Sequence, residues 1–223
     1  MRDGFRKILF LYVTLYFVAL VFALKVFDVG VAGPFNSKVG LSGLNSFYRN
    51  LFDFYGEKGY SVPLYVITEL MGLVSIGVCI FFTVLFLREV KKSGSLDGSG
   101  VDKNLMATVF LYVIAFVILV LFRFIPVNLR PVLVLNETSL DTSFPSAHVT
   151  LFIISFGSAI FHAWETFEKR KKTAVRITAA CSVLMTFGII GRLLSGVCWF
   201  TDIIGGILLG SSLLLLYSFF FDF

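Results

Sequence analysis

The chain has 223 residues, of which 57% are hydrophobic and only 15% are charged, and its mean hydropathy is +0.91. This composition excludes a soluble domain, which needs more charge at this length, and indicates one membrane-embedded domain over residues 1–223. The net charge of +5 does not indicate a nucleic-acid partner, because basic excess in a membrane protein usually marks loops that face anionic lipid on the cytoplasmic side.

Six apolar runs approach or exceed the roughly 20 residues that a transmembrane helix needs. They lie at about 8–28, 62–87, 104–125, 147–164, 174–195 and 198–221. The first is longer than the core of a signal peptide and lacks a small-x-small cleavage site, so we interpret it as a retained span. The fourth is short and begins with polar residues, which favours a helix shielded by its neighbours. The predicted fold is an all-α integral membrane bundle of six transmembrane helices.

The connections between the spans differ in character. Aromatic and polar residues alternate from Asn45 to Tyr55 in the first outer loop, which predicts an interfacial helix; a loop rich in interfacial aromatic residues is the alternative. Residues 93–100 form a flexible Gly/Ser linker, and residues 169–172 (Lys-Arg-Lys-Lys) a basic cytoplasmic anchor. The three cysteines, Cys79, Cys181 and Cys198, show no paired spacing, so neither a disulfide framework nor a zinc site is predicted.

The basic residues predict the orientation of the bundle. With the N-terminus inside, 12 of the 19 Lys and Arg residues fall on the inner side and 7 on the outer side. The chain is short and has no glycosylation-dependent domain, which favours a bacterial cytoplasmic (inner) membrane. Oligomeric state has no signature in the sequence.

Three segments carry polar residues that a plain membrane bundle does not need. They are Arg123-Phe-Ile-Pro-Val-Asn-Leu-Arg130-Pro131, then Ser143-Phe-Pro-Ser-Ala-His148, then Gly191-Arg192 with Ser195-Gly-Val-Cys-Trp-Phe-Thr-Asp202. In the six-span topology all three segments fall on the outer side. Three arginine forks at one mouth would hold a phosphate group and the charge of its transition state; the alternative for a single arginine is a side chain that snorkels from a span end.

The second segment has the features of an anion-binding helix start. Pro145 fits the first turn of span four, whose free N–H groups and dipole would point at the mouth. Ser146 adds a hydroxyl donor, and His148 could protonate a leaving oxygen. His162, near the inner end of the same span, is interpreted as structural.

The third segment places Cys198 and Asp202 four residues apart at the start of span six, where they would share a helical face. A histidine at position 198 could attack phosphorus, with the aspartate fixing its tautomer. Asp202 is costly in a membrane span without such a partner. With only a thiol to orient, it resembles half of a pair.

These motifs resemble those of the type 2 phosphatidic acid phosphatase family, integral membrane lipid phosphatases related in their core to vanadium haloperoxidases. The family pattern is Lys-x6-Arg-Pro, Pro-Ser-Gly-His and Ser-Arg-x5-His-x3-Asp. This chain has Arg123-x6-Arg130-Pro131, Pro145-Ser146-Ala147-His148 and Gly191-Arg192-x5-Cys198-x3-Asp202, with the same spacing within each motif.

The resemblance implies a metal-independent phosphatase without a cofactor that acts through a phospho-enzyme on a lipid phosphate or pyrophosphate. Five residues would hold the phosphate: Arg123, Arg130, Ser146, Ala147 through its backbone, and Arg192. His148 would donate the proton to the leaving alcohol. Residue 198 would be the nucleophile and Asp202 its orienting partner.

The chain departs from the family pattern at Arg123, Ala147, Gly191 and Cys198. The cysteine is the serious departure, because it stands where the family has the nucleophilic histidine, and Asp202 would raise its pKa. We interpret it as a replacement that disables an otherwise intact site. The alternative is a non-catalytic lipid-phosphate-binding or scaffold protein of the same fold. A transporter finds little support: Glu69 is acidic within span two, but a hydrated or hydrogen-bonded structural role explains it equally well.

Overall fold

The computed structural model describes residues 2–54, 59–94, 100–134 and 138–220. Within these ranges, six helices are long and apolar enough to cross a membrane, which confirms the predicted spans. The helices are α1 (Arg2–Val26), α2 (Ser42–Leu51), α3 (Val62–Ser93), α4 (Lys103–Phe124), α5 (Ala147–Thr166), α6 (Lys171–Ser195) and α7 (Phe200–Tyr217). A short hairpin of β1 (Gly30–Val31) and β2 (Lys38–Val39) precedes α2, with a 3-10 turn over Pro34–Asn36, and a second 3-10 turn over Ser218–Phe220 follows α7. The sequence did not predict the hairpin.

Helix α5 is the centre of the bundle. Buried residues make up 61% of its span, against 11% for α1, and it packs against α3, α6 and α7. This confirms that the fourth span is shielded by its neighbours. Gly206 of α7 allows the close approach, because a Cβ there would lie 2.8 Å from the carbonyl oxygen of Ser146. The start of α5 is therefore held against the start of α7.

Helix α2 lies in the connection between the first two spans, where the sequence predicts a helix. It buries Asn45, Tyr48 and Arg49 against the bundle and exposes three apolar side chains: Leu44, Phe47 and Leu51. Some parts of the sequence predictions lie outside the described residues: Tyr55 at the end of this aromatic stretch, the basic residue Lys58, residues 95–99 of the predicted linker, and residue 221 at the end of the sixth predicted span.

The buried face of α2 holds the turn between α6 and α7. Arg49 is 4% exposed, and its guanidinium donates to the carbonyl oxygens of Gly196 at 2.9 Å, Phe54 at 2.6 Å and Gly59 at 2.9 Å. Its charge also lies over the ring of Trp199, 5.6 Å from the centroid. Tyr48 donates to the carbonyl oxygen of Leu193 at 2.6 Å. Burial raises the pKa of Tyr48 to about 12, so this hydroxyl keeps its proton at neutral pH.

The Arg49 contacts predict a stability effect. Arg49→Met should lower the free energy of unfolding by about 2–4 kcal/mol, because three buried carbonyls lose a charged donor. Thermal unfolding in detergent measures the effect as a lower midpoint. Arg88→Met, at an exposed position of α3, is the control and should leave the midpoint unchanged. Equal midpoints for the two variants would contradict the structural role of Arg49.

Candidate phosphate-binding site

A cavity of about 320 Å³ lies where α4 ends, α5 begins and α6 turns into α7. Seven of the eight predicted site residues line it: Arg123, Arg130, Ser146, Ala147, His148, Arg192 and Cys198. Asp202, the eighth, is fully buried beside it. The structure thus brings together three segments that are far apart in sequence.

The connection between α4 and α5 forms one wall of the cavity. Its two arms meet in an antiparallel bridge between Leu129 and Thr142, and the amide of Arg130 donates to the carbonyl oxygen of Asp141 at 3.0 Å. Arg123 pairs with the carboxylate of Asp141 at 3.2 Å. Asp141 lies outside the three motifs, so the sequence did not predict its place at the site. Its carboxylate fixes the exposed Arg123 at the cavity mouth.

The start of α5 agrees with the beginning of the fourth apolar run at residue 147 and corrects the expectation that Pro145 lies in the first turn of the helix. The helix begins at Ala147 with Ser146 as its N-cap, so Pro145 precedes the helix instead of occupying its first turn. The peptide bond between Phe144 and Pro145 is cis. The reason for the later start is that Ser146 is extended and its amide donates to the carbonyl oxygen of Asp202 at 3.0 Å. His148 remains in the first turn, as predicted.

Arg192 lies in the last turn of α6 and is only 1% exposed. Its Nη1 donates to Glu69 Oε1 at 2.9 Å and to Thr68 Oγ1 at 3.3 Å, and its guanidinium carbon lies 5.6 Å from the centroid of the Tyr65 ring. A Cβ at the neighbouring Gly191 would lie 3.0 Å from Thr68 Cγ2, so glycine lets α3 and α6 pack closely there. Helix α3 therefore orients this guanidinium.

Two buried polar atoms at the cavity have no hydrogen-bond partner within the described parts of the chain. They are Oγ of Ser146 and Nε of Arg192. Native proteins pair the great majority of their buried polar groups, so such atoms need an explanation. Both belong to residues that the motifs assign to phosphate binding, and both can donate to an anion.

Glu69 of α3 joins the site, although its sequence context alone is explained equally well by a structural role. Its Oε2 lies 3.2 Å from Nε2 of His148. The signal available in the sequence was an acid about two turns from the outer end of a span, at the depth of the motifs. A span acid alone does not identify its partners, so this contact was not predictable.

The prediction that Cys198 and Asp202 share a helical face is wrong. Helix α6 ends at Ser195 and is capped by Gly196, which has a φ of 77°, and α7 begins at Phe200, so Cys198 lies in the turn between the two helices. Asp202 closes this turn, because its Oδ2 accepts from the amide of Trp199 at 3.0 Å. Its Oδ1 accepts from Nδ2 of Asn128 at 3.1 Å. Both carboxylate oxygens therefore have partners other than the thiol.

The surroundings of Cys198 favour the neutral thiol. Burial raises its pKa above the ordinary value, and the nearby Asp202 raises it further, while Arg192 and Arg130 act in the opposite direction. Because the pKa is raised, little of the thiolate, which is the nucleophilic form, is present at neutral pH. The side chain at position 198 is therefore present mainly in its less reactive, neutral form.

This thiol state predicts a pH dependence of alkylation. In a C79S/C181S background, Cys198 should react with iodoacetamide along a rate profile displaced to higher pH than that of the same protein denatured in SDS. The sign follows from the raised pKa, since less thiolate exists at any given pH. Mass spectrometry of the modified peptide measures the rate. A folded-state profile at or below the denatured one would contradict the prediction.

Comparisons with known proteins identify the family and the fold of this chain. The model of the PAP2 superfamily matches residues 106–223, more than half of the chain. The chain belongs to the PAP2 superfamily. A crystal structure of a transmembrane PAP2-type phosphatidylglycerolphosphate phosphatase from Bacillus subtilis has the same fold, with a TM-score of 0.62 at 14% identity over 95% of this chain and 94% of that chain. A search of curated proteins found no match.

The PAP2 match contains all eight predicted site residues, whereas Arg49 and Glu69 precede it. These two residues belong to the part of the chain where the family model gives no assignment. In the described ranges, no group of three or more His, Cys, Asp or Glu side chains is arranged to hold a metal ion. The donors at the PAP2 cavity are cationic and hydroxyl groups, which suit an anion.

Proposed function

We propose that this PAP2 protein binds a lipid phosphate or pyrophosphate in the cavity, and that its site is that of a phosphatase impaired by Cys198. The observation that carries the proposal is the pair of unpartnered buried donors, Ser146 Oγ and Arg192 Nε. They accompany three arginines around one cavity. Arginine forks and hydroxyl donors match the oxygens of a phosphate group.

The apolar side of the cavity supports an amphiphilic ligand. Helix α4 contributes Phe116, Leu119 and Val120 to the lining, and Phe116 is 68% exposed on the outside of the bundle. A phosphate at the arginines would thus have an apolar wall next to it that continues to the lipid-facing surface. A lipid chain gains free energy by packing against this apolar wall, whereas a water-soluble phosphate ester has no apolar surface to bury there.

The proposed reaction has two steps when residue 198 is histidine. The imidazole attacks phosphorus, a nitrogen–phosphorus bond forms, and the bond to the leaving oxygen breaks as His148 gives that oxygen its proton. Water then attacks the phospho-enzyme and releases inorganic phosphate. Arg123, Arg130 and Arg192 stabilise the charge on the phosphoryl oxygens, with Ser146 and the Ala147 amide as further donors. Asp202 orients the nucleophile.

Cys198 weakens the first step in this scheme. Its thiol is neutral at physiological pH, and Asp202 cannot activate it as it would orient an imidazole. A competing function therefore deserves a test: a non-catalytic lipid-phosphate binder of the same fold. The observation that favours it is that both oxygens of Asp202 are bonded to Asn128 and Trp199 without any contribution from residue 198.

The test measures binding and release separately. The chain as it stands, purified in detergent, should bind added phosphatidic acid and should not bind added phosphatidylcholine. Phosphate release by C198H is then assayed on phosphatidic acid, phosphatidylglycerol phosphate and a polyprenyl pyrophosphate. Release by C198H supports the phosphatase. Binding without release in either form supports the non-catalytic binder, and the absence of both contradicts the two proposals.

We also propose that the N-terminus faces the cytoplasm of a bacterial cell and that the cavity faces outward across its inner membrane. The excess of Lys and Arg on the inner segments supports this orientation. In a background with all three cysteines changed to serine, a membrane-impermeant maleimide should label K38C in intact cells. It should label K171C only after lysis, and the reverse pattern would overturn the orientation.

A further inference from the structure

Glu69 is hydrogen-bonded to two groups of the site at once. Its Oε1 lies 2.9 Å from Nη1 of Arg192 and its Oε2 lies 3.2 Å from Nε2 of His148. The carboxylate thus bridges the residue assigned to phosphate binding and the residue assigned to proton donation. An ionised carboxylate within a span is costly unless it is paired. Here both partners belong to the site.

The packing around Glu69 holds the same two residues in place. One turn along α3, a Cβ at Gly72 would lie 2.9 Å from Cδ2 and 3.1 Å from Nε2 of His148, so the α3 backbone is in direct contact with the imidazole. On the other side of Glu69, Thr68 and Tyr65 contact the guanidinium of Arg192. One face of α3 therefore sets the position of both side chains.

The contacts with α3 use one nitrogen atom of Arg192 and one of His148, so other nitrogen atoms of both side chains can contact a ligand. Arg192 uses Nη1 toward α3, and its buried Nε has no partner among the described residues. His148 uses Nε2 toward Glu69, so Nδ1 is the ring nitrogen available to a leaving oxygen. Glu69 does not compete with phosphate for Nε of Arg192. It fixes the orientation of a donor on each partner.

We propose that Glu69 is a positioning residue that holds the proton donor His148 and the phosphate-binding Arg192 as one hydrogen-bonded unit. The inference rests on the proposed function, because it concerns proton donation to the leaving group. A carboxylate on one ring nitrogen of a histidine fixes the ring orientation and tautomer, and so determines which nitrogen faces the substrate.

The variant Glu69→Gln separates the two roles of the carboxylate. Its amide oxygen can still accept from Arg192, but its NH2 group then faces Nε2 of His148 and disfavours a proton there. In the C198H background, E69Q should lower kcat/KM for a lipid phosphate by about 10–100-fold, the loss typical when the hydrogen-bond partner that orients a functional histidine is removed. It should change kcat/KM for p-nitrophenyl phosphate by about threefold or less, because that leaving group needs no proton.

A double variant tests whether Glu69 acts through His148. Adding E69Q to C198H/H148A should change the rate on lipid phosphate by about twofold or less, since the proton donor is already absent. An equal loss on both substrates, or an additive loss in the double variant, would overturn the proposal, because a general structural defect has those effects.

A second measurement needs no activity and uses the chain with Cys198. Its two histidines give two labelled imidazoles in an ¹⁵N-histidine spectrum. E69Q should shift the ring signals of His148 and leave those of His162 in place. E165Q is the matched control and should do the reverse, because Glu165 lies 3.5 Å from Nδ1 of His162. Unchanged His148 signals in E69Q overturn the proposal, while an inactive C198H with shifted His148 signals counts against the phosphatase only.

Discussion

The variant C198H should release phosphate from its lipid substrate on the order of 10³-fold faster than the chain with Cys198, or more. The imidazole is nucleophilic in its neutral form, whereas burial raises the pKa of the Cys198 thiol and so favours the less reactive neutral thiol. The other residues of the proposed site already lie at the cavity beside position 198, so in the proposed mechanism the substitution supplies the missing nucleophile. Phosphate release in nanodiscs measures the two rates under identical conditions.

Two controls show whether histidine acts as a nucleophile at this position. C198S has a side chain similar in size to cysteine and should stay at the low rate. C198H/D202N should lose about 10²–10⁴-fold relative to C198H, the range expected when an orienting carboxylate is lost. Equal rates for the chain and for C198H would show that Cys198 does not impair catalysis.

The variant Arg192→Ala should weaken binding of phosphatidic acid to the chain with Cys198 by about 30–1,000-fold. This range corresponds to about 2–4 kcal/mol, the cost of removing a buried charged donor from an anion. Arg192→Lys should recover only part of the affinity, because lysine keeps the charge but loses the planar fork. Titration of nanodiscs with increasing phosphatidic acid content gives the affinities.

The control for this experiment lies on the same helix. Arg176 is an exposed residue of α6 toward its other end, so Arg176→Ala removes the same charge far from the cavity. It should bind phosphatidic acid as the parent does. If R192A binds as tightly as R176A, the cavity is not the phosphate-binding site and the lipid is held elsewhere.

The sequence predicted the spans and the site-lining residues for separate physical reasons. A long apolar run that crosses a membrane forms a helix, because only a helix pairs all of its backbone groups within the run. All six helices could therefore be placed. Short motifs such as Arg123-x6-Arg130 and Pro145-Ser146-Ala147-His148 are recognisable in the sequence because the spacing of their residues is fixed. Once the topology puts the motifs at one end of the bundle, convergence on one cavity follows, and the structure has this arrangement.

The supporting residues were not predictable because their partners are distant in sequence. Glu69 meets residues 79 and 123 positions away, and Arg49 meets Gly196 at a separation of 147. Asp202 follows a spacing rule in the motif, but its carboxylate's contacts with Asn128 and the amide of Trp199 depend on how a turn closes. Neither hydropathy nor motif spacing indicates which residues distant in sequence contact each other.

The contact between α2 and the turn at Gly196 couples the depth of the site in the membrane to the depth of α2. Arg49 binds the turn that carries Cys198, while Leu44, Phe47 and Leu51 on the opposite face of α2 are exposed to the surroundings. The turn cannot shift along the membrane normal unless α2 shifts with it. The distance from the cavity to the lipid headgroups is therefore fixed jointly by the bundle and by the bilayer that surrounds α2, and bilayers of different thickness should present the same lipid phosphate at different heights.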